Sequence, residues 1–262
     1  VERWNWLREF LQTEIDLEKI LKTFPDDEPM NNAVAACRGL RILRQQPWEC
    51  LASCILSATK QIVQIRQIVA QLCCCFGERL APGPSGISPD ELAEDSHSSD
   101  SPSPLPSPAG RGRTERRWLE TPEDLSYAFP SAERIAGLTE SDLRNCKMGF
   151  RAPNLLAAAR QIAEGRLDLK RLRHLPYSEA RAELMKLRGV GEKIADCVLL
   201  FAYGFDSAFP VDVWVERALR TLYFPRRRVS EKKLLKFAAT HFGPHAGYAQ
   251  QYLFHYMRTK KR

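Results

Sequence analysis

No run of apolar residues in this 262-residue chain approaches the length of a membrane span, and its start lacks the basic-then-apolar pattern of a secretory leader. Neither a membrane protein nor an exported one is expected. Paired cysteines are missing too. The eight cysteines stand at 37, 50, 54, 73, 74, 75, 146 and 197, none in C-x-x-C spacing and three of them consecutive, so neither a zinc site nor a disulfide framework is indicated. With none after 197, a C-terminal iron–sulfur cluster is excluded. Such cysteines read as small apolar residues in a reducing compartment, the cytosol of a bacterium or the nucleus or an organelle of a eukaryote. Sustained apolar–polar alternation is the third absence, and without it the chain reads as all-α. The fourth is acid in the second half. Residues 144–262 hold 24 Lys and Arg against 10 Asp and Glu, whereas residues 1–143 hold 15 against 22. Such asymmetry suits a polyanion-facing half, although a merely solvated basic surface gives the same count.

What is present is helical periodicity in two blocks. Trp4, Leu7, Leu11, Ile15, Leu17, Ile20 and Leu21 suit one or two amphipathic helices closed by Pro25. A helix starting at Pro47-Trp48-Glu49 turns Cys50, Leu51, Cys54 and Ile55 inward and breaks near Ser57-Ala58-Thr59-Lys60. Ile62, Ile65, Ile68, Val69 and Leu72 carry the next stripe, which ends at Phe76-Gly77. Residues 81–117 then change character. Prolines, serines and glycines give way to Arg111, Arg113, Arg116 and Arg117, and a stretch so poor in apolar residues is expected to be disordered. Three segments follow: N-terminal helices over 1–80, the insertion over 81–117, and a C-terminal portion over 118–262. Within the last, Thr121-Pro122-Glu123-Asp124 and Thr139-Glu140-Ser141-Asp142 look like capped helix starts, and Phe150-Arg151-Ala152 opens a helix through Ile162. A basic bend at 225–228 precedes two final helices.

The stretch 187–197, Leu-Arg-Gly-Val-Gly-Glu-Lys-Ile-Ala-Asp-Cys, reads as a tight glycine hairpin between two helices. Gly189 and Gly191 supply positive-φ freedom and close backbone approach, and the new helix offers bare N–H groups to a phosphate. Lys193 lies in its first turn, where the positive helix end and partial burial favour a neutral, nucleophilic amine. A lysine that only pairs with a phosphate fits the same position. Asp212, 19 residues on, is placed to N-cap the helix that carries Trp214 to Leu222. Such a carboxylate can also stabilise developing positive charge and orient the amine, and the two roles are compatible.

These residues resemble the helix-hairpin-helix/GPD superfamily of DNA glycosylases, and within it the 8-oxoguanine DNA glycosylase/AP lyase branch. The resemblance rests on the hairpin to Cys197 and on the 209–214 stretch Phe-Pro-Val-Asp-Val-Trp. It extends to residues 40–51, to Gly149-Phe150-Arg151-Ala152 and to the 243–250 stretch Gly-Pro-His-Ala-Gly-Tyr-Ala-Gln. It implies an all-α fold of two helical subdomains with the active site in the cleft between them. It further implies a bifunctional enzyme that removes oxidised purine, foremost 8-oxoguanine opposite cytosine, from flipped nucleotides. By the resemblance Lys193 attacks C1′, Asp212 is the essential carboxylate, and Cys197 packs on the purine. Gln250 and Phe254, one helical turn apart, read its edge and stack on its plane. Gly189, Val190 and Gly191 hold the DNA backbone, Phe150 and Arg151 wedge the duplex and probe the opposite base, and Thr59 is a DNA-binding position, where relatives place the residue that fills the gap left by the flipped base. Cys197 and Phe254 are also ordinary core residues in pattern.

The departures are informative. Thr59 stands where many relatives carry Asn, Gln64 replaces an opposite-base Arg, and Trp214 occupies a position that is His in the eukaryotic branch, an arrangement of bacterial type. The family's N-terminal β-rich domain is expected to be absent and, with Val1 in place of Met, the chain is expected to be short or truncated. No metal or organic cofactor is required, and the resemblance allows a monovalent cation at the hairpin carbonyls. The expected partner is damaged double-stranded DNA, bound by a monomer away from any membrane. Two other readings stay open: a monofunctional alkylpurine glycosylase using Asp212 and water, and a catalytically inactive helix-hairpin-helix DNA-binding protein or fragment.

Overall fold

A computed structural model describes residues 4–57, 61–80 and 127–259. The insertion at 81–117, the capped start at Thr121 and the gap-filling position Thr59 lie outside the described residues. Among those described the chain is helical with no strand, and the one ladder-type pairing is an isolated antiparallel bridge between Arg79 and Tyr127. Beside that bridge Ala128 N–H donates to Glu78 O at 2.9 Å, so the segment beyond residue 80 returns to where it left.

The helices are α1 Asn5–Leu11, α2 Leu17–Leu21, α3 Glu28–Ala36, α4 Pro47–Ser57, α5 Ile62–Phe76, α6 Ala132–Ala136, α7 Glu140–Asn145, α8 Ala152–Ala163, α9 Tyr177–Met185, α10 Glu192–Val198, α11 Val213–Tyr223, α12 Glu231–His241 and α13 Ala246–Thr259. Their ends follow capping chemistry. Asp27 accepts from Met30 N–H at 2.8 Å to begin α3, Thr139 and Asp142 form the expected reciprocal box at α7, and Gly77 closes α5. Phe150 and Arg151 sit in a single 3₁₀ turn, Gly149–Arg151, that runs into α8.

Two groups of helices form. In one, α4 is central and packs on α5, α8 and α10, with α6 and α7 against α8 and α9 against α10. Its Cys50, Leu51, Ala52, Ile55 and Leu56 are buried, which is why so hydrophobic a helix takes that position. In the other, α13 packs on α3 and α11, and α12 joins through α11. The groups meet where the chain leaves α10. Residues Leu199–Tyr203 widen into a π-helical turn, and the Leu200 side chain abuts Gly247 at the start of α13 so closely that no Cβ would fit there. A π turn inserted directly after a helix commonly marks a functional site.

Candidate active site

The hairpin is built as its glycines suggest, but the two glycines differ. Gly189 takes φ +82° and sits on the Asn154 side chain of α8, where a Cβ would collide. Gly191 has φ −97° and ψ −177°, extended backbone open to any residue, with nothing within 4 Å of a Cβ. Positive-φ freedom is thus required only at Gly189. Both glycines are exposed and Val190 is buried, so Val190 can offer a ligand its backbone alone. Gly191 N-caps α10 with no side-chain bond, which leaves the first N–H groups of that helix facing outward.

Beneath the hairpin lies a charged anchor that sequence reasoning missed. Asp196 is buried, and its Oδ1 accepts from Tyr177 Oη at 2.7 Å and from Arg181 Nε at 2.8 Å, while Oδ2 accepts from Arg181 Nη2 at 3.2 Å. Arg181 also pairs with Glu192 at 3.2 Å. Burial and the Asp196 bond hold the Tyr177 hydroxyl protonated far above its ordinary range. The network ties α9 to α10 on either side of the turn, and breaking such a buried pair costs roughly 3–5 kcal/mol. The only sequence signal was the acid at Asp196 three residues after Lys193.

Lys193 is exposed, so the partial burial expected of it is not found. Its charge nevertheless acts on two thiols. Cys197, one turn further along α10, neighbours Cys54 of α4, and Cys54 neighbours Cys50. The contact with Cys54 and burial push the Cys197 thiol well up. The neighbouring Cys197 pulls the Cys54 thiol down, but Cys50 and burial prevail and it too lies well above the usual thiol range. Cys54 and Cys197 are therefore neutral thiols. The i, i+4 spacing of Cys50 and Cys54 signalled a shared helix face, but nothing in the sequence placed that face against Cys197.

Asp212 N-caps α11 as expected, its Oδ1 accepting from Trp214 N–H at 2.9 Å and Val215 N–H at 2.8 Å. Gln250 and Phe254 share a face of α13. Gln250 is buried and its Oε1 accepts from Gln251 Nε2 at 2.6 Å, while Phe254 is half-buried with the Arg258 guanidinium 5.3 Å from its ring centre. The start of α13 is set by Asp206, whose carbonyl accepts from Gly247 N–H at 2.7 Å and whose carboxylate meets His245 Nδ1 at 2.9 Å. On the other side of the π turn, Arg44 donates to Leu200 O at 3.0 Å and to Gln12 Oε1 at 3.1 Å.

The structure thus joins Lys193 and Cys197 on α10, seats Gly189 against α8, and packs the Asp212 helix on the helix of Gln250 and Phe254. Phe150 and Arg151 part company. The ring is 61% exposed, and the guanidinium is buried beneath it, 4.2 Å from the ring centre. Gln64 is engaged at the start of α5, its Oε1 accepting from Gln61 N–H at 3.3 Å. Cavities of about 370 and 410 Å³ lie beside α1 and between the end of α5 and Pro130, and neither is lined by Lys193, Asp212 or Gln250. Among the described residues no helix is long and apolar enough to cross a membrane.

Comparison with known proteins agrees with this geometry. Residues 113–243 match the model of the HhH-GPD superfamily of base excision DNA repair proteins, and residues 2–51 match that of the 8-oxoguanine DNA glycosylase N-terminal domain. The second match narrows the expected absence of that domain, since part of its span falls on α1 to α3 and the first turn of α4. A probable N-glycosylase/DNA lyase of Methanothermobacter thermautotrophicus is 32% identical over 96% of this chain and 75% of its own length. An N-glycosylase/DNA lyase of Saccharomyces cerevisiae is 27% identical over 83% of this chain and 50% of its own. The solved 8-oxoguanine glycosylase/lyase of Clostridium acetobutylicum, bound to double-stranded DNA with cytosine opposite 8-oxoguanine, superimposes with a TM-score of 0.79. It is 32% identical, and the match covers the whole of this chain and 77% of that one.

Proposed function

The chain belongs to the HhH-GPD superfamily of base excision DNA repair proteins, in its 8-oxoguanine glycosylase branch, and we propose that it is an N-glycosylase/DNA lyase with Lys193 as its nucleophile. The observation that carries this reading is the placement of Lys193 in the first turn after the hairpin, with Cys197 one turn behind it. An amine presented there reaches a sugar whose flanking phosphate rests on the hairpin N–H groups. Attack of Nζ on C1′ breaks the glycosidic bond, and the electron pair and a proton leave with the base. The resulting Schiff base acidifies the C2′ proton, and its loss expels the 3′ phosphate and nicks the strand. Asp212, fixed at the positive end of α11, places negative charge for the cationic sugar.

The base pocket takes Cys197 on one side and Gln250 and Phe254 on the other, and an exposed Phe150 suits a wedge in the stack. No metal or organic cofactor enters these steps. The carbonyls of Leu187 and Gly191 already accept from Val190 N–H and Ala195 N–H at 3.1 and 3.0 Å, and their second lone pairs suit a monovalent cation that stiffens the turn. The partner is damaged duplex DNA, bound by a monomer. Incubation with duplexes carrying 8-oxoguanine opposite each of the four bases, with borohydride trapping and product sizing, tests the whole reading. Base release, a trapped adduct and a nicked strand are expected, most strongly opposite cytosine. Base release without nicking or trapping would favour a monofunctional glycosylase.

A further inference from the structure

The first turn of α13 is satisfied from outside its own sequence. Gly247 N–H, one of the donors that a helix start leaves unpaired, donates to the carbonyl of Asp206 at 2.7 Å. The Asp206 carboxylate adds a second tie, from its Oδ2 to His245 Nδ1 at 2.9 Å, and lays negative charge at the positive end of the helix. Because a carboxylate only accepts, the ring donates from Nδ1. Gly247 is also walled in, since a Cβ there would meet the Leu200 side chain and the carbonyl of Ala208. The ground it rests on is held firmly. Leu199 O, Leu200 O and Phe201 O of the π turn accept from Phe205 N–H at 3.0 Å, Arg44 at 3.0 Å and Gln45 N–H at 2.9 Å. One pinned run, from Lys193 and Cys197 of α10 through this turn to Asp206, thus sets where α13 begins. Gln250 follows Ala246, the first residue of α13, by a single helical turn.

We propose that Asp206 and His245 are positioning residues for base recognition, fixing the first turn of α13 so that Gln250 and Phe254 meet the base while Lys193 meets the sugar. The proposal rests on the roles given above to Lys193, Gln250 and Phe254. The pair acts through α13 and not on the base or the sugar. Freed from the carboxylate, His245 no longer holds the first turn, and Gln250, one turn on, loses its register with α10. Lys193 and Asp212 keep supports of their own, the network beneath the hairpin and the cap bonds of α11. Both members of the pair are partly exposed, so water reaches whatever a truncation leaves, and the backbone bond of Gly247 survives it. The two chemical steps therefore separate. Release of 8-oxoguanine needs the base gripped, whereas a sugar that has already lost its base gives Gln250 and Phe254 nothing to hold.

The test compares His245→Ala, Asp206→Ala, their double variant and His245→Asn in the full chain on two duplexes. One carries 8-oxoguanine opposite cytosine and the other a preformed abasic site, and single-turnover rates are read on both. Each alanine variant should release 8-oxoguanine about tenfold more slowly, as a small misplacement of a gripping group does. Each should nick the abasic duplex within about twofold of the unaltered rate, because that step uses Lys193 and no base. Asparagine presents an amide N–H about where the ring carries its Nδ1–H, so His245→Asn should recover most of the excision rate. The double variant should be no slower than either single one, since each change already breaks the pair. Loss of both activities in step marks a merely structural pair and overturns the proposal. So does an unchanged excision rate, an asparagine variant as slow as the alanine one, or single effects that multiply in the double variant. An unaltered chain that nicks neither duplex fails on the function itself, before any variant is compared, and takes the proposal with it.

Discussion

Two helix N-termini carry the proposed chemistry, and they are finished in opposite ways. At α10 the N-cap is Gly191, with no side chain to satisfy the first N–H groups. At α11 the N-cap is Asp212, whose Oδ1 takes two of them. Both ends carry about half a positive charge from the helix dipole. The open end can receive a phosphate from outside, while the closed end has supplied its own anion and fixes it in place. On the proposed mechanism one helix end binds the substrate's backbone and the other presents a carboxylate to its sugar. Exchanging their capping chemistry should exchange neither benefit and lose both.

The largest effect is expected from the group that the open end presents. Lys193→Gln should abolish borohydride trapping and strand nicking while leaving duplex binding close to normal, as gel-shift and trapping assays would read. Trapping at the unaltered level would remove Lys193 from the mechanism. At the closed end, charge and cap separate cleanly. Asp212→Asn keeps a capping oxygen, so thermal stability should hold, yet excision should fall by about 10²–10³-fold as the charge is lost. Asp212→Ala should lose the same activity and also about 1 kcal/mol of stability by denaturant titration. Equal activity in the two carboxylate variants and the unaltered chain would reduce Asp212 to a cap.

The open end depends on a turn that only Gly189 can make. Gly189→Ala adds the cost of φ +82° to a collision with Asn154, so a loss of at least about 1 kcal/mol is expected. DNA affinity should fall with it, because the hairpin and α8 must part to admit the methyl group. Calorimetry and a binding titration would check both, and a neutral variant would show that the turn relaxes freely.

Local rules made much of this legible before any coordinates. The caps at Thr139 and Asp212 and the stop at Gly77 follow from residues within four positions of one another, and the structure contains each. The lysine's place in the first turn of α10 was readable for the same reason. What escaped depends on partners far apart in sequence. Asp196 met Arg181 across the turn, Cys197 met Cys54 on α4, and Arg44 met the π-turn carbonyl of Leu200. Burial escaped as well. Phe150 and Arg151 are adjacent and were expected to act as a pair, yet a 3₁₀ turn sends the ring outward and the guanidinium into the protein. Helical spacing assigns a face only once the neighbouring helices are known.

The smallest predicted effect is the most discriminating for the two helix ends. Gly191 has extended backbone and free space around a Cβ, so Gly191→Ser should fit without strain. Its hydroxyl would accept from a first-turn N–H, as Asp212 does at α11, and stabilise the helix by a few tenths of a kcal/mol. The same oxygen would occupy the direction from which a phosphate oxygen must approach. Thermal stability should therefore rise slightly while affinity for undamaged duplex falls, and the affinity loss should persist on damaged DNA. Opposite signs for stability and binding are hard to obtain from generic damage to the fold. If both rise together, or if binding is untouched, the open end of α10 is not where the DNA backbone rests.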